Sequence, residues 1–417
     1  MKVKQNIKVL YFNDWIAGTW QVQKVHAVNF IEAFKKQPGI QLYVYPQMAS
    51  PKDESIYEEK EKTYLKLIRQ FVDNANQPFV KRIIQFLSDK RQLVRINTYL
   101  KQVNPDLIIA RHNAVNFNVI YNFTKLKQPL VLEVNALVAN DLRLENIKVP
   151  SRTARLERDI IHRSNAMFAV CRAHAEALKE ICGKPDKIFI VPNGVDPVKF
   201  SPQPKSKELC EKYGLTNNVV IGYVGGFEKG AHERRDVLGM LEAFKICKMK
   251  SQVPFKMLMV GKMDEGYLVE EIKKIGIEDS VVFTGLIDHF LLPQLIDLID
   301  IAVAPYFGKH LLYASPMKVF EYMSMEKPVI IPKIGQPAEI LVNKKTAVLV
   351  EPESPSSMAE GLLTLIHDAS LREKIGSNAR KLILNKYTWE HNAKGIADIC
   401  RLALEKQRLE KKVRNQQ

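Results

Sequence analysis

In YASPMKVFEYMSMEKPVI (residues 313–330), Lys318 and Glu321 stand three residues apart between a Ser-Pro pair and a short apolar strand. That spacing places both side chains on one face of a single helical turn. A cation beside a carboxylate suits a ligand that is anionic at one end and rich in hydroxyls at the other. More cations, Lys229, Arg234 and Arg235, stand in GGFEKGAHERRD (225–236), directly after the apolar run VVIGYV. Lysine and arginine in such loops commonly gather around a diphosphate. A carboxylate among them can accept the two hydroxyls of a ribose, as the acidic residue does in dinucleotide folds. The residues therefore point to a nucleoside-diphosphate ligand. Gly225, Gly226, Ser315 and Pro316 are assigned to the same ligand, together with Lys318 and Glu321. Gly18, in a loop just ahead of a helical pattern, would let backbone N–H groups approach a phosphate or sugar. No Walker motif is present and no GxGxxG follows a strand, which disfavours ATPases and dehydrogenases.

The elements that must position these residues are legible as short apolar runs alternating with longer helical patterns, the signature of βαβ units and parallel sheets. In the first half the strand candidates are IKVLYF (7–12), IQLYVY (40–45), DLIIA (106–110), PLVLEV (129–134), AMFAV (166–170) and KIFIV (187–191). In the second half they are VVIGYV (219–224), FKMLMV (255–260), SVVFT (280–284), IAVAP (301–305), PVIIP (328–332) and TAVLV (346–350). Two sets of six predict two doubly wound α/β domains joined through PNGVDPVKFSPQPKSKE (192–208). The expected division is 1–198, 199–387, and a C-terminal helix with a basic tail over 388–417. In open α/β sheets ligands sit beyond the carboxyl ends of the strands. Two such domains in tandem would face those ends across a cleft.

A length of 417 residues suits two domains, and 46% hydrophobic with 26% charged residues is ordinary for a globular protein. The first residues, MKVKQNIKVLYFND, read as a strand rather than a signal core, and no run reaches the ~20 apolar residues of a membrane span. The five cysteines are scattered without a CxxC pair, which argues for a reducing compartment and against zinc. The net charge of +16 is uneven: residues 1–200 hold 31 Lys and Arg against 19 Asp and Glu, whereas residues 201–400 hold 25 of each. A basic half suits an anionic membrane surface or acceptor, and PFVKRIIQFLSDKRQLVRINTYLK (78–101), with Lys81, Arg82, Lys90 and Arg91, is the candidate contact. No nucleic-acid signature accompanies the charge.

Several segments together carry a resemblance: VPNGVDPVKFSP (191–202), IGYVGGF (221–227), FTG (283–285), IDIAVAPY (299–306), SPMKVFEYMSMEKPVI (315–330) and KYTWEHNA (386–393). The chain resembles the glycogen-synthase-like retaining GT-B glycosyltransferases (group 1 glycosyl transferases). EVNALVANDLR (133–143) and RLERDIIHRSNAMFAV (155–170) extend the likeness into the first half. The resemblance implies two Rossmann-like domains, a nucleotide-sugar donor on the C-terminal domain and a saccharide or lipid-linked acceptor on the N-terminal domain. It also implies retention of configuration with no metal and no cofactor beyond the donor. Glu321 matches the second glutamate of the family's paired motif, and the first falls on Tyr313. Lys318 is placed for the diphosphate. Lys229 matches the family's Lys-Gly pair by composition, and Arg235 matches by spacing. The family's cleft histidine falls near Asn135, with His112 the nearest histidine in sequence. The catalytic set is therefore Lys318, Arg235, Lys229 and Asn135.

Retaining transfer in this family resembles front-face attack, in which the departing diphosphate helps to take the acceptor proton. The protein's task is then to stabilise negative charge on the leaving group. The expected setting is cytoplasmic, peripheral to the inner face of a membrane, in cell-envelope polysaccharide assembly. Two rival readings are a nucleotide-sugar epimerase, which would act without acceptor, and a donor-binding partner subunit, which would bind nucleotide without turnover.

Overall fold

A computed structural model of the chain describes residues 6–13, 21–46, 78–112, 117–144, 147–227, 235–262, 267–288 and 290–416. Gly18 and Lys229 lie outside these residues, as do the side chains of Lys81 and Arg82. The fold forms two compact units. The first comprises Met1–Ala169, His174–Ile190 and Ala393–Gln417, and the second comprises Val170–Ala173 and Val191–Asn392.

The first unit holds a parallel sheet of β1 (Ile7–Phe12), β2 (Ile40–Tyr45), β3 (Leu107–Arg111), β4 (Leu130–Val134), β5 (Ala166–Ala169) and β6 (Ile188–Ile190). Their order is β2-β1-β3-β4-β5-β6. β3 and β4 are buried along their whole length, as near-continuous apolar strands must be when helices cover both faces. The residues after Ala393 are tied into this unit by polar contacts. Arg401 Nη2 donates to the Pro38 carbonyl at 2.8 Å, Gln407 Nε2 to the Lys127 carbonyl at 2.7 Å, and Lys406 pairs with Asp186 at 2.9 Å.

The second unit repeats the architecture with β7 (Val219–Val224), β8 (Phe255–Val260), β9 (Val281–Phe283), β10 (Ile301–Val303), β11 (Val329–Pro332) and β12 (Val348–Val350). The order is β12-β11-β10-β7-β8-β9, all parallel. Side chains alternate between two cores: Val220, Leu258, Ala302 and Ile331 pack on one face, and Ile221, Met257, Val303 and Ile330 on the other. Period two and burial on both faces fix the register, since a slip of one residue would exchange the two cores. The strand order reverses between β7 and β10, the place at whose carboxyl ends open α/β sheets bind their ligands.

The helix Met317–Ser324 ends in a turn where Glu326 has φ +57°, and the helix Ala369–Lys386 packs against that turn at Gly376. A Cβ on Gly376 would lie 1.9 Å from the Glu326 carbonyl oxygen. In an open helix Gly→Ala stabilises by about 1 kcal/mol. Here the added carbon meets backbone, so Gly376→Ala should reverse that sign and destabilise by about 2–3 kcal/mol. A lowered urea midpoint would show it, whereas a raised midpoint would mean that the helix simply shifts away.

Candidate active site

The site in the second unit is built where its strand order reverses. Lys318, in the first turn of the helix Met317–Ser324, directs its ammonium to the Val224 carbonyl at the end of β7. The N–H of the same residue donates to the Tyr322 hydroxyl at 2.7 Å, so one helix engages the peptides on both sides of the Val224 Cα. Lys318 Nζ also lies 3.4 Å from the Tyr223 hydroxyl, 4.5 Å from the centroid of that ring and 5.9 Å from that of Tyr306. This approach requires glycine at 225, where a Cβ would stand 2.4 Å from the Tyr223 hydroxyl and 2.9 Å from Lys318 Nζ. Gly226 follows in the same turn.

Arg235 arrives from the other side. Its backbone bridges antiparallel to Tyr306, just beyond β10, and the next N–H, that of Asp236, donates to the Pro305 carbonyl at 2.7 Å. Asp236 then accepts from Gly239 N at 2.9 Å and starts the helix Val237–Lys250. The Arg235 guanidinium lies 5.7 Å from the Tyr306 ring centroid, and its buried Nε has no hydrogen-bond partner among the described residues. An unpaired buried donor on a charged group is costly, and an anionic ligand would satisfy it. Loss of hydration and repulsion from Arg235 hold Lys318 well below the usual lysine range, with Glu321 acting the other way. Two cations have converged, and the nearby carboxylate of Glu321, buried one turn along the same helix, offsets only part of their charge.

The helix carrying Lys318 and Glu321 starts at Met317 with Pro316 at its cap position and no side-chain cap, two residues later than a start at Ser315. Ser315 is engaged elsewhere: its hydroxyl accepts from Asn193 N at 3.1 Å, and its carbonyl accepts from Asn193 Nδ2 at 2.8 Å. The connecting segment thus fixes the turn that aims the helix.

In the first unit a buried polar network occupies the carboxyl ends of β1, β3 and β4. Arg111 and Glu133 are register partners on adjacent strands, and Arg111 Nη1 donates to Glu133 Oε1 at 3.0 Å. Asn135 Nδ2 donates to the same oxygen at 2.7 Å, and the Tyr11 hydroxyl donates to Oε2 at 2.8 Å. A carboxylate only accepts, so Glu133 fixes which end of the Asn135 amide faces it. Arg111 also meets His26 Nδ1 at 2.7 Å, which makes that nitrogen an acceptor. The loop after β4 is held further along by Glu157, which accepts from Val138 N at 2.7 Å and Ala139 N at 3.0 Å. His112 lies fully enclosed, with Nδ1 3.1 Å from the Ala136 carbonyl and Nε2 3.4 Å from Glu157. Burial pushes it down to about 4, so it is a neutral part of this scaffold at pH 7.

Comparison with known proteins bears on both units. Residues 206–382 match the model described as glycosyl transferases group 1, and residues 23–199 match glycosyltransferase family 4. The chain belongs to the group 1 glycosyltransferase family. It is 25% identical over 256 residues (58% of this chain) to an uncharacterised glycosyltransferase of Methanocaldococcus jannaschii. Over 207 residues (48% of this chain) it is 31% identical to the capsular polysaccharide biosynthesis glycosyltransferase CapM of Staphylococcus aureus. The chain spans 62% and 51% of the length of these two relatives. The Anabaena HepE structure in complex with UDP superposes with a TM-score of 0.67 at 17% identity, covering 94% of this chain and 98% of that one. The two six-stranded parallel units form a GT-B fold.

In this group 1 glycosyltransferase the structure brings Lys318, Arg235, Gly225 and Tyr306 together and sets Glu321 beside Lys318. Asn135 belongs to the first unit and is held by Glu133. Tyr313 stands in the turn before the helix. Tyrosines 223, 306 and 322 were not legible as site residues, because each reads as an apolar strand or helix position. Arg111 and Glu133 carried a usable signal, namely opposite charges at the ends of otherwise apolar strands.

An anion bound between Lys318 and Arg235 raises the lysine pKa back toward its ordinary value. Between the depressed pKa and 10.5 binding must therefore take up protons, and affinity must fall as pH rises. Titration calorimetry of pyrophosphate in buffers of differing ionisation enthalpy should show proton uptake that Lys318→Ala abolishes. An enthalpy independent of buffer would remove Lys318 from the anion site.

Proposed function

We propose that this chain transfers a sugar from a nucleoside-diphosphate sugar to a saccharide or lipid-linked acceptor, with retention and without a metal, in cell-envelope polysaccharide assembly. One observation carries the reading: Lys318 and Arg235 converge at the switch point of the second sheet, with Glu321 one turn from Lys318. Two cations match the charge that collects on a departing nucleoside diphosphate. Preorganised stabilisation of a leaving group is the largest contribution a protein makes to such a transfer. With two side-chain cations in that role, a divalent ion is not required for the charge. Glu321 accepts the ribose hydroxyls, and Gly225 leaves room for the phosphates. The names of relatives support the donor class and the setting: HepE was solved with UDP, and CapM is named for capsular polysaccharide biosynthesis.

A thermal-shift panel of nucleotide sugars tests the donor class, because a ligand that binds only the folded state raises its stability by mass action. Lys318→Ala should lower turnover by two to four orders of magnitude, about 3–5 kcal/mol, with a smaller loss of donor affinity. Glu321→Ala should weaken the nucleoside diphosphate itself by about 1.5–3 kcal/mol. Unchanged nucleotide affinity in a folded Glu321→Ala variant would reduce that residue to a structural carboxylate.

The acceptor side of the proposal rests on charge. The first unit contains 36 Lys and Arg against 21 Asp and Glu, net +15, whereas the second contains 26 against 25, net +1. On the helix Pro78–Val103, Ile96 and Leu100 are buried while Lys90, Arg91, Arg95 and Lys101 are exposed. Among the described residues no helix is long and apolar enough to cross a membrane. Each lysine or arginine near an anionic bilayer contributes about 1 kcal/mol at low salt. Replacing these four by glutamine should release the protein from phosphatidylserine vesicles at about 0.15 M salt, where the Debye length is ~8 Å. Parent-like flotation of that variant would move the membrane contact off this helix.

A further inference from the structure

Tyr306 has its ring within cation–π range of both cations. Its ring centroid is 5.7 Å from the Arg235 guanidinium and 5.9 Å from Lys318 Nζ. Its backbone bridges that of Arg235, so the ring and the guanidinium are brought together by the main chain. The side chain is only 9% exposed, at the first turn beyond β10. Burial keeps its phenol neutral across the working pH range.

The chemistry of the residue fits that position. Lys318 and Arg235 repel each other, and the simplest remedy, a carboxylate between them, would neutralise both and compete with an anionic ligand. An aromatic face attracts cations through its quadrupole but carries no net charge. A ring within reach of two cations therefore lowers the cost of bringing them together while leaving their charge available to a third party. Phenylalanine would keep the ring and lose only the hydroxyl, whereas leucine would keep the bulk and lose the aromatic face.

We propose that Tyr306 is a positioning residue that holds Arg235 and Lys318 together as an incompletely neutralised cation pair for the diphosphate of the nucleotide ligand. This rests on the nucleotide-sugar reading above and adds to it the device that assembles the anion site. Tyr306 itself need not touch the ligand.

The test is calorimetric titration of the full chain with UDP, or with whichever nucleoside diphosphate the parent binds in a panel, for the parent, Tyr306→Phe and Tyr306→Leu. Each variant is also made in the Arg235→Ala background. Tyr306→Phe should bind within roughly threefold of the parent, because both ring contacts remain. Tyr306→Leu should bind about 10–30-fold more weakly, the loss of both ring contacts. In the Arg235→Ala background the Leu substitution should cost less than about twofold further, because residues that act through one another are not additive. A merely structural role would lower thermal stability without this coupling. Should Tyr306→Leu fail to fold, Tyr306→Met carries the same comparison. Parent-like affinity in a folded Tyr306→Leu variant, or an equal loss in both backgrounds, overturns the positioning role and leaves the nucleotide reading intact. A parent that binds no nucleoside diphosphate overturns that reading and this inference together.

Discussion

Lys318 and Arg235 repel each other within a partly dehydrated part of the protein, and much of the second unit is arranged to keep them there. Both backbone polar groups of Val224 are held by one helix, the carbonyl by the Lys318 ammonium and the N–H by the Tyr322 hydroxyl. Gly225 has no side chain because that space belongs to the lysine and Tyr223. The backbone of Arg235 is fastened to the residues just past β10 before its side chain turns inward. None of these features would be needed by a helix that merely covered a sheet. Together they keep charge in a place where water solvates it poorly, which is a cost unless a ligand of opposite charge supplies the missing interaction.

The first unit uses buried charge differently. Glu133 is saturated with donors from Arg111, Asn135 and Tyr11, and Glu157 caps the backbone N–H groups of Val138 and Ala139. Every oxygen of these two carboxylates has a partner, so the loop following β4 is tied to the scaffold by hydrogen bonds at both ends. Such a network is strongly disrupted by loss of one member of the Arg111–Glu133 pairing, because the remaining charge stays buried. It suits a scaffold that presents Asn135 in one orientation. The contrast between the units is one of charge balance: one closes its electrostatics internally, and the other leaves net positive charge at its switch point.

The family and the fold leave the choice of chemistry open, since doubly wound sheets serve many reactions and function resides in the groups at the strand ends. What narrows it here is the identity of those groups: two cations, a carboxylate one turn away, and a glycine that clears the approach. Surface charge adds a separate, long-range preference, because nearly the whole net charge of the molecule resides on the first unit.

The sequence alone determined the two sets of six strands, since apolar runs of five or six residues recur at βαβ spacing and period two admits one register. It also determined that Lys318 and Glu321 share a helical face, because a spacing of three is a local property of helices. Arg235 was a candidate by its distance from the helix that follows it, yet nothing local said whether it or Lys229 mattered. The tertiary structure placed Arg235 opposite Tyr306 through the non-consecutive neighbours β7 and β10, whose adjacency no short-range pattern encodes. The same is true of Arg111 and Glu133, which are 22 residues apart in the chain and register partners only once β3 and β4 pair. His112, a plausible acid or base by residue type, proved to be enclosed between Ala136 and Glu157. Local spacing fixes which face a side chain occupies, whereas its charge environment depends on contacts between distant segments, and those exist only after the sheets have assembled.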